Sequence, residues 1–398
     1  MSQTPRQVLI LVENLPVPLD RRVWLEATSL TEAGYEVSVI CPTGRGWDAP
    51  YEEIEGVHIY RFPEPPEAHS GALAYAREWG GALIHMMRLS RKVRAERGFQ
   101  VIHGCNPPDL LFLVALPWRL RGVRYLFDHH DVCPELFEAK FGKRGLLYRA
   151  MRLFERMTFA LADVSIATNE SFREIAIRRG KMAPEDVFVV RSAPRVDKFV
   201  PAQVERPEDD PLRFGYVGVI GQQEGMDLLV EAAEHLVQRL DRRHVHFDIV
   251  GFGPHLDTVR ADVTARGLDP WFTFHGPLYN EDLLAVLNRI DIGVAPDPKN
   301  AMNDISTMNK IMEYMTLEKA SVQFDLKEGR ASAGEAGLYA RANDPKDFAA
   351  QMAALIDAPE QRAEMGRLGR ARVLDNLSWT HSAPRLIAAY ERIFSKLR

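Results

Sequence analysis

Cysteine is scarce in this 398-residue chain. Cys41, Cys105 and Cys133 are odd in number, scattered and without C-x-x-C spacing, so neither a disulfide framework nor a zinc site is indicated. Long apolar runs are missing as well: none approaches the ~20 residues of a membrane span. The opening MSQTPRQVLILVE enters a strand pattern without a signal-peptide cleavage site, so a cytoplasmic chain is expected. Nor is there a positive excess. Lys+Arg number 50 against 55 Asp+Glu, for a net charge of −5, and the pI is 6.2. No aromatic stripe is interleaved with the basic segment between Arg88 and Arg156, which argues against nucleic acid as a partner.

What is present is a soluble globular composition, 46% hydrophobic and 26% charged. The length fits two domains of about 150 to 200 residues rather than one core. Residues 1–200 hold 27 Lys+Arg against 25 Asp+Glu, leaving 23 against 30 for the rest, or +2 and −7. An anionic membrane surface or an anionic acceptor is compatible with the first half.

Short apolar runs alternate with helical patterns, first as VLILVE, EVSVICP, VHIYRF, FQVIHG, VRYLFDHHD, ADVSIATN and DVFVVRS. Such runs, separated by helices, suit a parallel sheet covered on both faces, so this half reads as a Rossmann-like domain. After the polar segment VPAQVERPEDDPLR the alternation restarts with FGYVGV, VHFDIVG, FTFHG, IGVAP, ASVQF and GLYA. The expected division is 1–200, a linker at 201–211, a second Rossmann-like domain at 212–377, and a closing helix at 378–398. That helix starts after Ser378, is broken early by Pro384, and packs on its own domain or crosses back to the first.

The segment from Ser306 to Gly337 carries the most chemistry. Ser306, Thr307, Met308 and Asn309 lie where a helix opens, so their backbone amides are available to a diphosphate, and Lys310 would add a charge. Glu313, one turn inside, offers two acceptor oxygens to a ribose diol. The plainer alternatives are a Ser306 or Thr307 helix cap and an exposed Glu313 paired with Lys310. A glycine-bearing loop, Gly218 to Gly225 with Gly221 inside it, opens a helix near Gln223. Gly251, Gly253 and the His275 to Leu278 segment follow consecutive strands at the carboxyl edge of the second sheet, where open α/β sheets bind ligands; a plain β-α turn is the alternative for each. Arg191 and Arg195 supply positive charge or merely meet solvent.

With EVSVICP, HHDVCPELF, YVGVIGQQEGMDLLVEA, VGFGP, FHGPLYNEDLLAVL and NKIMEYMTLEKASVQFD in this order, the chain resembles the GT-B glycosyltransferases of family 4 nearly end to end. The resemblance implies two Rossmann-like domains facing across a cleft. It also implies a retaining, metal-independent transferase whose nucleotide-activated sugar is a co-substrate held by the C-terminal domain, with no other cofactor. Glu313 then resembles the second glutamate of the family's E-x7-E motif. Ile305 stands where the first should be, and Asp304 or Asn303 is the candidate substitute. Val219 and Glu224 occupy positions usually held by a phosphate-binding Arg and Lys. By the same resemblance His275, Gly276 and Leu278 line the base.

On the first domain the strand is expected to end at Phe127, leaving Asp128, His129, His130 and Asp131 on a loop. His130 resembles the family's strand-end histidine, which contacts the donor sugar, and Asp131 and Glu135 orient it or cap the next helix. The implied mechanism is front-side displacement: the acceptor hydroxyl attacks on the face the nucleoside diphosphate leaves, and the protein orients substrates and stabilises charge without a nucleophile of its own. Asn14, Asp20, Arg21, Asn106, Pro107 and Asp109 are expected to shape the acceptor pocket. The segment 140–156 sets Lys140, Lys143, Arg144, Arg149, Arg152 and Arg156 among Leu146, Leu147, Met151, Leu153 and Phe154. It is a covering helix with solvated arginines or a face that meets an anionic bilayer, and the second case favours a lipid-linked saccharide acceptor in polysaccharide assembly. The alternatives to a transferase are a GT-B epimerase or phosphorylase, or a sugar-nucleotide-binding scaffold weakened by Ile305, Val219 and Glu224.

Overall fold

The run VLIL in β1 (Arg6–Leu11) is buried on both faces, as a central parallel strand must be. The computed structural model describes residues 6–64, 72–142, 144–194 and 196–397. Around β1 these form a sheet with β2 (Tyr35–Pro42), β3 (Tyr51–Ile54), β4 (Val57–Phe62), β5 (Val101–Cys105), β6 (Arg124–His129), β7 (Val164–Ala167) and β8 (Val187–Val189). The order is β3-β4-β2-β1-β5-β6-β7-β8, parallel except for the β3-β4 hairpin. That hairpin turns at Glu55 and Gly56, both at positive φ, as a two-residue loop between twisted strands requires. Strand β3, with only four residues and no apolar run, is the one strand the sequence pattern omits.

The second sheet comprises β9 (Leu212–Val219), β10 (Val245–Phe252), β11 (Phe272–Gly276), β12 (Ile292–Ala295), β13 (Ala320–Phe324) and β14 (Gly337–Ala340), in the order β11-β10-β9-β12-β13-β14. All pairs are parallel. The strand order reverses between β9 and β12, and likewise between β1 and β5 in the first sheet. In doubly wound folds ligands sit outside the carboxyl ends of the strands at such points. Both sheets are therefore Rossmann-like.

By contacts the chain divides into one unit of Met1–Arg191 with Ser382–Arg398 and another of Ser192–His381. The helix Trp379–Ser395 runs through Pro384 rather than stopping there. From Ser382 on it belongs to the first unit, where Tyr390 packs edge-on against Tyr35 and its hydroxyl lies 2.8 Å from His103 Nδ1. Asp186 ties the end of the helix through Arg392 (2.8 Å) and Lys396 (2.7 Å). Among the described residues no helix is long and apolar enough to cross a membrane.

Candidate functional site

In the first unit, strand β6 continues two residues beyond Phe127, and the alternation of side chains sends its last two apart. His129 enters an aromatic cluster of Phe127, Phe159 and Phe172, where burial pushes its pKa down to about 3. Asp128 turns to the other face. Its Oδ2 lies 2.8 Å from His130 Nδ1, and Arg22 grips both its oxygens, Nε to Oδ2 at 2.8 Å and Nη2 to Oδ1 at 2.7 Å. Burial works against a charged His130, but the adjacent Asp128 carboxylate outweighs it and raises the imidazole to about 9. Desolvation opposes the Asp128 charge too, yet Arg22 and His130 hold that carboxyl well below its usual range.

The loop that follows is clamped by Asn106, which is wholly buried after β5. Its Oδ1 accepts from the amides of His130 and Asp131, each at 3.0 Å, and its Nδ2 donates to Asp109 Oδ1 and to the Asp131 carbonyl. Beneath this lie Glu26, His103 and Cys105, which with Asp128 bring ligand-type atoms within 4.8 Å of one another. The Arg22 guanidinium already occupies Asp128, so the one carboxylate of the group that stays charged is answered by a cation of the chain itself.

In the second unit, the helix Asn309–Thr316 opens beside the strand-order reversal. Tyr314 fixes it there: its hydroxyl accepts from Val217 N of β9 and donates to Val294 O of β12, both at 3.2 Å. Gly293 has no side chain because the Tyr314 ring would lie 2.2 Å from a Cβ. Met308 occupies the cap position without a side-chain cap bond, and the three-residue turn Asn303–Ile305 precedes it. Lys310 is buried, with Nζ 2.8 Å from Asp297 Oδ1, 3.3 Å from Glu224 Oε2 and 4.8 Å above the Tyr216 ring. Burial disfavours the ammonium, but Asp297, Tyr216 and Glu224 keep it charged well above the ordinary range, whereas burial lifts Glu224 to about 7.

Two family models match the chain, one described as glycosyl transferase 4-like domain over residues 19–193 and one as glycosyl transferases group 1 over 211–358. The chain belongs to the group 1 glycosyltransferases. This glycosyltransferase is 26% identical over 359 residues to 2-deoxystreptamine glucosyltransferase of Streptomyces kanamyceticus, covering 86% of this chain and 90% of that one. Its fold is similar to that of sucrose-phosphate synthase from Thermosynechococcus elongatus (TM-score 0.79, 17% identity, 98% and 100% of the two chains). It is also similar to that of HepE from Anabaena, solved in complex with UDP and glucose (TM-score 0.74, 12% identity, 97% and 99%). With its two Rossmann-like units the chain is of the two-domain GT-B type.

The residues singled out in the glycosyltransferase's sequence fall into three groups. At the carboxyl edge of the second sheet stand half-buried Glu313, Ser306 and Thr307, exposed Asn309, and Gly218, Gly221, Gly251, Gly253, His275, Gly276 and Leu278. Within that group several side chains are already engaged. Ser306 Oγ donates to Met302 O instead of capping the helix, His275 Nε2 lies 2.8 Å from Asp248 Oδ1, and Leu278 packs near Leu283 and Leu287. Gly251 serves close backbone approach, since a Cβ there would lie 1.9 Å from Gly218 O. The helix expected near Gln223 is instead a short turn, Gln222–Glu224, followed by the helix Met226–Glu234.

The second group is reassigned to scaffolding. Lys310 is spent on Asp297 and Glu224 rather than paired with Glu313 or exposed to a phosphate. Asp304 Oδ1 accepts from Lys327 N at 2.9 Å, and Asn303 Nδ2 donates to Gln223 O and Pro298 O, so both candidate substitutes for the glutamate missing at Ile305 already hold main chain. Asp20 caps the helix Arg21–Glu32 through Val23 N. Asn106 is sealed from any acceptor. Glu135, on the helix Cys133–Phe141, pairs with Arg179, which also holds Glu155. The third group comprises exposed Asn14 and Arg21 and half-buried His130, Asp131 and Arg191. Arg195 and Lys143 lie outside the described residues, as does the side chain of Lys140.

Sequence reasoning passed over Arg22, Glu26 and Asp297, and placed Asp128 on a loop without a role. Arg22 and Glu26 are an i, i+4 pair on the buried face of their helix, a spacing legible in RRVWLE. A cavity of about 780 Å³ lies at the amino ends of β12 and β13, under Val200–Arg206, and is lined also by Asn288, Asp291, Glu318 and Lys319. It is at the opposite edge of the sheet from these loops.

Proposed function

We propose that this glycosyltransferase moves a sugar from a nucleotide-sugar donor, with retention of anomeric configuration and without metal, to a saccharide or lipid-linked saccharide. The observation that carries the reading is the helix Asn309–Thr316, held at the strand-order reversal by Tyr314 with its first turn uncapped by a side chain. Amides at a helix start favour a diphosphate, although here Ser306 N already donates to Asn303 O and Ile311 N to Met308 O, and Glu313 one turn in accepts from the ribose hydroxyls. Charge developing on the leaving diphosphate is met by these amides and by protein cations. In this reading His130 contacts the donor sugar, and the leaving phosphate oxygen takes the acceptor's proton. HepE is solved with UDP and glucose, and the relative noted above is a glucosyltransferase, which makes UDP-sugars the first donors to try.

A panel of UDP-, GDP- and TDP-sugars tests this, scored first by thermal shift and then by release of nucleoside diphosphate. Binding with turnover is expected. Glu313→Ala should abolish the shift; an unchanged shift removes Glu313 from the site. Binding without release favours the scaffold alternative, in which Glu224 on Lys310 has replaced a phosphate-binding cation.

A cytoplasmic chain working at a membrane face is the finer form of this proposal. The helix Leu146–Leu161 buries Glu155, Thr158 and Phe159, while Leu146 is 83% and Leu153 54% exposed, with Met157 and the neighbouring Phe141 also outward. These leucines are thus not a core face. With exposed Arg149 and Arg156 beside them they suit an anionic bilayer. Sedimentation with phosphatidylglycerol vesicles, lost in Leu146→Ser/Leu153→Ser, is the expected result; equal sedimentation of the variant removes this face.

A further inference from the structure

The first unit holds a buried charge network that the expected site residues did not include. Arg22 and Glu26 stand one turn apart on the helix Arg21–Glu32, and both are enclosed. The Arg22 guanidinium uses all its edges inward: two bonds to Asp128 and one, Nη1 to Val190 O at 2.9 Å. A carboxylate gripped by a two-pronged guanidinium has its plane and position fixed, which an ammonium could not do. Asp128 Oδ2 is then presented 2.8 Å from His130 Nδ1, so Nδ1–H donates to a carboxylate held in place by Arg22 and the ring's orientation is set. Asn106 fixes the backbone of the same loop through the amides of His130 and Asp131. The ring's remaining nitrogen, Nε2, is left for a ligand, the side chain being 15% exposed.

We propose that Asp128 and Arg22 are positioning residues that hold His130 as an oriented imidazolium, whose Nε2–H serves as the first unit's charged donor to the sugar-nucleotide. The assignment rests on the reading of His130 as the group that meets the donor sugar.

The surrounding groups agree with it. His130 is faced by Asp128 on β6, Asp131 in its own loop, Arg22 and Glu26 on the first helix, His103 on β5 and its neighbour His129, while Cys105 on β5 faces Asp128. Burial raises Glu26 to about 8 and lowers His103 to about 4, so both are neutral at pH 7, and burial keeps the Cys105 thiol protonated. In the hydrogen-bonded set of Arg22, Asp128 and His130 this leaves two positive charges against one negative, and the Asp131 carboxylate in the loop faces His130 as the second countercharge. A neutral histidine would leave these groups with a net negative charge.

The test begins with the wild-type protein and needs no substrate. Imidazole resonances followed from pH 5 to 10, with His130 assigned through His130→Gln, should show it titrating more than a unit above the ordinary 6.5; a titration at or below 6.5 overturns the proposal. In folded Asp128→Asn protein the same resonance should titrate at least a unit lower than in wild type, whereas Arg22→Gln, which removes a cation that opposes the imidazolium, should not lower it and should act through the orientation of Asp128 alone. kcat should fall on the order of 10²-fold, as for loss of one charged donor, while nucleoside diphosphate affinity stays within twofold. Asp128→Glu, which keeps the charge, should recover part of the titration shift. An unmoved titration in the Asn variant also overturns the proposal. Failure of nucleotide-sugar binding in wild type would instead count against the transferase reading, and the resonance experiment stands apart from it.

Discussion

Lys310 and Asp297 form a buried ion pair, with Nζ 2.8 and 3.1 Å from the two carboxylate oxygens and side-chain exposures of 7% and 1%. Asp297 follows β12 and Lys310 opens the helix carrying Glu313, so the pair staples the loop at the strand-order reversal to the helix that the donor is proposed to meet. The lysine serves the architecture of the site first. Its charge is shared with Glu224 before any phosphate arrives.

Removing one partner of a buried pair leaves the other's charge unanswered. Lys310→Met should therefore destabilise the protein by about 3–5 kcal/mol, read as a lower urea midpoint. In Lys310→Met/Asp297→Leu the stranded carboxylate is gone as well, and most of the loss should be recovered. A single variant as stable as wild type would show that Asp297 is not held by this bond.

Gly225 lies in the turn after β9, at φ +72°, and a Cβ there would come within 2.1 Å of Pro296 O. The loops after β9 and β12 approach through this point, so Gly225→Ala combines a strained backbone with a clash against main chain. A loss of more than 2 kcal/mol in urea denaturation is expected, together with weaker nucleotide-sugar binding because the two loops are driven apart. Gly267→Ala, at φ +67° with open space around its Cβ, should cost only the backbone part, about 1 kcal/mol.

The sheets were legible because parallel strands buried on both faces are near-continuous apolar runs: VLIL, VSVIC, FGYVGV and VHFDIV stand out without any partner being known. Strand β3, YEEI, is an edge with alternate residues in solvent, and its polar sequence hides it. Side-chain duties were harder to see. Asp20, Asn106, Glu135 and Lys310 carry the residue types of ligand-binding groups, and each turned out to satisfy a helix end, a loop amide or a buried opposite charge. Linear order cannot separate those uses, because Asn106 meets His130 across 24 positions and Arg22 meets Asp128 across 106. The one local clue was the i, i+4 spacing of Arg22 and Glu26, and it lay beside Arg21, the exposed arginine of the same pair of letters.

In the proposed donor site Glu224 stands where the family resemblance places a cation, and its ionisation should then set how well that site tolerates a diphosphate. Burial raises it from 4.5 to about 7, with Lys310 pulling the other way and Asp297 reinforcing the rise. Below pH 7 it is a neutral acid beside Lys310; above pH 7 it is a second carboxylate there, repelling an incoming anion. If the bound state requires the neutral form, affinity for a nucleoside diphosphate falls about tenfold between pH 6 and pH 8. Glu224→Gln should remove this dependence and bind about tenfold tighter than wild type at pH 8, with little difference at pH 6. The same shift has a stability consequence of opposite sign to that of an ordinary paired carboxylate. A raised acid binds its proton more tightly when folded, so its contribution is greatest below 4.5 and is lost as pH climbs through 7. Glu224→Gln should flatten that part of the stability profile too. Calorimetric titration with UDP at both pH values checks the first outcome, and parallel curves for variant and wild type would remove Glu224 from the diphosphate's surroundings.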